Sequence, residues 1–111
     1  DVDYVVDLSR GTTIEKDGAR VNTVEHTLAA LSGLEIDNVM IQLDGPEPPI
    51  MDGSSRQFVD ALVDAGIEEL NALKNYFIVP ENISYKDPSR NVEIAALPLD
   101  DYRVTVMVDY N

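Results

Sequence analysis

Apolar and polar positions along the chain change period several times, and each change marks an element. Residues 4–8 (YVVDL) read as a short strand. Gly11 and the pair Asp17-Gly18 bracket a second extended run over 12–16, and an Asp-Gly between two extended runs is a hairpin signal, so residues 19–21 are expected to return beside it. Helical period follows: Val24, Leu28 and Leu31 fall at i, i+4 and i+7, with Asn22 a candidate N-cap and Gly33 standing where a C′ residue would end the helix. Val39, Ile41 and Leu43 then alternate with Met40 and Gln42, which predicts a half-buried strand before the rigid loop Gly45-Pro46-Glu47-Pro48-Pro49. Ser54 with Gln57 three residues later matches a capping box, and Phe58, Ala61 and Leu62 give the second helix an apolar face that runs to Gly66.

From residue 76 onward the pattern is that of strands alone: 76–79, 83–85, 92–95 and 102–108, with Asp87-Pro88-Ser89-Arg90 turning the chain between the second and third. The shift from mixed to all-β character places a domain boundary near residues 71–74, so residues 1–72 form one unit and 73–111 open another. The fold class is α+β. The β pattern of 102–108 stops close to the last residue and the first residue is not Met, so the chain is expected to be a fragment.

Composition narrows the function. A hydrophobic fraction of 44% over 111 residues suffices for a packed core. A formal net charge of −13 argues against an electrostatic grip on nucleic acid or anionic lipid. There is no cysteine, which removes disulfides and thiolate metal sites, so any metal must use His or carboxylates. Neither a signal region nor a membrane span of roughly 18 apolar residues is present, and a cytoplasmic location is expected.

The one histidine, His26, directly follows Glu25 at the start of the first predicted helix. Glu25 can be read as the N3 carboxylate of a capping box with Asn22, and His26 as an ordinary surface or core imidazole. The other reading makes His26 a metal ligand and Glu25 the base beside it, because a helix N-terminus disfavours imidazolium and keeps the ring neutral for coordination. The spacing permits both. In Pro49-Ile50-Met51-Asp52-Gly53-Ser54-Ser55 the Asp-Gly turn and a capping serine account for every residue. Ser54 lacks the strand–turn–helix glycines of a nucleophile elbow.

Three blocks, Thr23-Val24-Glu25-His26-Thr27-Leu28-Ala29-Ala30-Leu31, Leu34-Glu35-Ile36-Asp37-Asn38-Val39 and Pro49-Ile50-Met51-Asp52-Gly53-Ser54, resemble in order and spacing the LpxC family of UDP-3-O-acyl-N-acetylglucosamine deacetylases. The resemblance runs through Ala65-Gly66-Ile67 to the end of the chain. It implies a first domain built as a two-layer sandwich of mainly antiparallel sheet with a pair of helices, here lacking its N-terminal strands, followed by the opening strands of a second, similar domain. It implies His26 as a zinc ligand and Glu25 as the general base that activates water at the zinc, for removal of acetate from UDP-3-O-acyl-N-acetylglucosamine in lipid A biosynthesis. The family's other ligands, in a His-x-x-x-Asp motif, and its later catalytic histidine have no counterpart here, so the piece alone is expected to be inactive.

Two details follow from the same resemblance. Leu8-Ser9-Arg10-Gly11-Thr12-Thr13 lies where the family borders its cleft, although a simple turn explains it equally well. The proline-rich form of residues 45–49 resembles the Bacteroidetes branch, in which the deacetylase is commonly fused to a hydroxyacyl-carrier-protein dehydratase. Apart from the resemblance, the residues fit a non-catalytic acidic α+β module for binding or assembly. A nucleotide-handling domain ranks last, since there is no glycine-rich phosphate loop.

Overall fold

The computed structural model describes residues 1–110, and the chain divides into two compact units, Asp1–Leu70 and a second that begins at Asn71. The class is α+β, with two antiparallel sheets and two helices. In the first unit β1 (Val5–Asp7), β2 (Thr13–Lys16) and β3 (Ala19–Val21) form a sheet in that order, with Ile14 opposite Val21 and Lys16 opposite Ala19. The predicted Asp17-Gly18 turn closes the hairpin. Both residues take positive φ (51° and 81°), as a two-residue turn matched to the right-handed strand twist requires.

Helix α1 (Glu25–Gly33) packs against α2 (Arg56–Ala65); of the buried apolar side chains, Ala30 and Leu31 lie on α1 and Val24 directly precedes it. Such a small set makes each member count. Leu31→Ala is expected to cost roughly 2–3 kcal/mol through lost burial plus a residual cavity, read as a lower denaturant midpoint. Among the described residues no helix is long and apolar enough to cross a membrane.

In the second unit β4 (Ile83–Asp87) pairs with β5 (Val92–Ala96). Asp87 builds the turn between them: its Oδ1 accepts from the Ser89 N–H (3.0 Å) and hydroxyl (2.6 Å), and its Oδ2 from Arg90 Nε (2.7 Å). The Ser89 and Arg90 side chains hold this carboxyl below its ordinary range.

Several expectations need correction. Residues 39–43, 76–79 and 102–108 form no strands. Alternation reports only that one face is more apolar than the other, whereas a strand also needs a neighbour to pair its N–H and C=O groups, and none of the three segments finds one among the described residues. Residues 39–42 instead line an apolar groove with Leu31, Met51, Phe58 and Leu62. Helix α1 also ends later than Gly33 implied. Gly33 is its last residue, and Glu35 takes the left-handed conformation (φ 56°) while the Glu35 and Ile36 amides return to Ser32 and Leu31 carbonyls. The Ser54–Gln57 capping box is half formed. Ser54 Oγ accepts from the Arg56 N–H (3.2 Å), but α2 starts at Arg56, and Gln57 turns to Asp52.

Candidate functional site

Glu25 is the first residue of α1 and His26 the second, both half-buried. The cap expected from Asn22 does not form. Val24 occupies the N-cap position with no side-chain bond, while Asn22 donates its own N–H to the Pro46 carbonyl (2.9 Å) and accepts at Oδ1 from the Thr13 hydroxyl (3.2 Å). The capping-box reading of Glu25 falls with it: the carboxylate takes its main partner from a different segment.

That segment is the turn before β2. The Thr12 N–H donates to Glu25 Oε2 at 2.8 Å, and the Thr12 carbonyl accepts from the Val24 N–H at 3.1 Å. The Thr12 amide is the main reason the Glu25 carboxyl lies below its ordinary range; Glu25's own amide and the nearby His26 act in the same direction and partial desolvation against it. A group so held is an ionised carboxylate at neutral pH. It can accept a proton and has none to give.

Thr23, two residues earlier, has φ 54°. For a β-branched residue this left-handed conformation is strained, at a cost on the order of 1–3 kcal/mol, and persists only when its surroundings over-determine it. Here they do. The backbone is tied on one side through Asn22 to Pro46 and on the other through Val24 to Thr12, and Thr23 Oγ1 donates to Glu47 Oε2 (3.3 Å). The strain sits immediately before the Glu25-His26 pair and sets the direction from which the helix departs.

Sequence reasoning singled out Glu25 and His26 and, through the resemblance, the 8–13 segment as bordering the cleft, but not the contacts that the Thr12 amide and Gly11 make with the carboxylate. No local signal marks a partner 13 residues away. The Asp52 loop is structural, as expected: Oδ1 accepts from the Ser54 N–H (3.0 Å) and hydroxyl (2.8 Å), and Gly53 supplies a positive φ of 80°. Zinc sites that perform chemistry use three protein ligands. Among the described residues no three His, Cys, Asp or Glu side chains converge on one point, so His26 is at most one donor of an incomplete set.

Comparison with known proteins bears on the whole chain. The model of the family described as "LpxC: UDP-3-O-acyl N-acetylglycosamine deacetylase" matches residues 1–111. The chain is 55% identical over 109 residues to the "Bifunctional enzyme LpxC/FabZ" of Chlorobaculum tepidum, covering 98% of this chain and 23% of that protein. It is 41% identical to the protein of the same name from Bacteroides thetaiotaomicron, over 98% of this chain and 24% of the relative. The "UDP-3-O-acyl-N-acetylglucosamine deacetylase" of Myxococcus xanthus is 41% identical over 97% of this chain and 34% of its own length. The chain thus spans about a quarter to a third of the curated relatives it matches. With a family match over every residue and relatives this similar, the chain belongs to the LpxC family.

Proposed function

We propose that this chain is part of a zinc-dependent deacetylase that removes acetate from UDP-3-O-acyl-N-acetylglucosamine in lipid A biosynthesis, with Glu25 as general base and His26 as one zinc ligand. The observation that carries the reading is the adjacency of an ionised carboxylate and a half-buried imidazole on the first turn of α1, the carboxylate fixed by the Thr12 amide, within a chain of this family. When bound, zinc supplies Lewis acidity that makes water a nucleophile near neutral pH.

The chain's own contribution is to place groups. Glu25 accepts the proton of the attacking water as its oxygen adds to the amide carbonyl; the C–N bond then breaks, acetate leaves and the amine takes up a proton. His26, on the first turn of α1, offers a ring-nitrogen lone pair as a metal donor. The other ligands lie elsewhere in the parent protein, residues 1–72 belong to its first domain and 73–111 open the second, and this piece by itself is inactive. The names of the Chlorobaculum and Bacteroides relatives support a parent fused to a hydroxyacyl-carrier-protein dehydratase. A cytoplasmic location completes the reading.

The full-length parent tests it. Deacetylation of UDP-3-O-acyl-N-acetylglucosamine should disappear on chelation and return with added Zn²⁺. Absence of any deacetylation, with or without metal, would return the chain to the acidic binding module.

A further inference from the structure

We propose that the Gly11–Thr12 turn is the positioning element for the Glu25 carboxylate: the Thr12 N–H anchors Oε2, and Gly11, by having no Cβ, leaves Oε1 the place from which it takes a proton. The proposal rests on the reading of Glu25 as the base.

Thr12 grips the start of α1 at two points. Its N–H meets the Glu25 side chain and its carbonyl the Val24 amide, so side chain and helix backbone are referenced to one residue of a sheet-borne turn. A glutamate at the first position of a helix otherwise has three side-chain torsions to distribute in solvent. One charge-assisted N–H···O bond of 2.8 Å reduces that freedom while occupying a single oxygen. The Thr12 hydroxyl takes no part in the grip; the main chain supplies it.

Gly11 completes the arrangement by what it lacks. A Cβ there would stand 3.0 Å from Glu25 Oε1, 3.6 Å from Oε2 and 3.6 Å from Thr23 Oγ1. At each of the other five glycines an added Cβ would meet nothing within 4 Å. Gly11 also lies outside the left-handed region occupied by Gly18, Gly53 and Gly66, so its backbone does not call for glycine. The contact with the carboxylate does. An added methyl would push Oε1 by a few tenths of an ångström while Oε2 remained tied, and a general base tolerates only about half an ångström of misplacement.

The experiment uses the zinc-loaded full-length parent carrying Gly11→Ala or Glu25→Ala, and an ester analogue at position 12 in which oxygen replaces the peptide N–H. Displacements of this size predict a fall in kcat of about 10-fold for Gly11→Ala and for the ester, with KM and zinc content unchanged. Independently of turnover, the Thr12 amide proton should resonate far downfield and move upfield in Glu25→Gln, where the acceptor is neutral. Wild-type kcat in Gly11→Ala and in the ester, beside a crippled Glu25→Ala, would overturn the positioning role alone. A rise in KM or loss of zinc in place of the fall in kcat would overturn it too, by showing a general disturbance. Should Gly11→Ala fail to fold, the ester decides. Wild-type turnover in Glu25→Ala would instead remove the reading on which the proposal rests.

Discussion

Glu25→Ala is expected to lower kcat of the full-length parent by about 10²–10⁴-fold, the range a well-placed general base contributes, with KM and zinc content close to wild type. The split follows from where the carboxylate is directed. Glu25 Oε2 accepts from the Thr12 amide across 13 residues of sequence, so the side chain is committed to a neighbouring turn, and among the described residues it joins no cluster of three metal-ligating side chains. Its removal deletes a proton acceptor and leaves the imidazole donor in place. The helix itself should survive, because Val24 at the N-cap makes no side-chain hydrogen bond that the substitution could remove. Steady-state kinetics with metal analysis on the same preparation gives the answer. Equal zinc loss in the Glu25 and His26 variants would undermine the assignment of separate roles.

The second large effect is expected at His26. Loss of a supporting group around a metal ligand commonly weakens binding by roughly 10–100-fold, and loss of the ligand itself exceeds that. His26→Ala should therefore emerge from gel filtration depleted of zinc and without measurable deacetylation, and partial recovery should require excess Zn²⁺. His26 is only half-buried and is not among the packed residues Val24, Ala30 and Leu31, so circular dichroism should remain that of the folded protein. Full zinc occupancy in a folded His26→Ala would exclude the ligand role and leave Glu25 to be explained some other way.

These two variants, with the milder Gly11→Ala beside them, separate three contributions that a static arrangement shows together. One residue takes the proton, one holds the metal, and one keeps the first correctly placed. The strained Thr23 backbone belongs to the third contribution, since it fixes how the chain leaves the 45–49 loop contacts and enters α1.

The parts of this structure legible without coordinates are those set by neighbours in the chain. Asp17-Gly18 closes a hairpin because an Asp-Gly pair tolerates positive φ at both positions. Both helices follow from apolar spacing, and the Asp52 and Asp87 turns from short polar side chains that bond the backbone two residues on. The adjacency of Glu25 and His26 is likewise a property of sequence alone. What only the tertiary structure decided are the partners. Alternation at 39–43, 76–79 and 102–108 was real but did not make strands, because a ladder is made by another segment and none of the described ones pairs there. Asn22 and Glu25, spaced as a capping box, separate because the Pro46 carbonyl and the Thr12 amide are competing partners drawn from distant positions. A hydrogen-bonding group takes whichever partner folding brings within 3 Å, and sequence spacing reports only the local candidates.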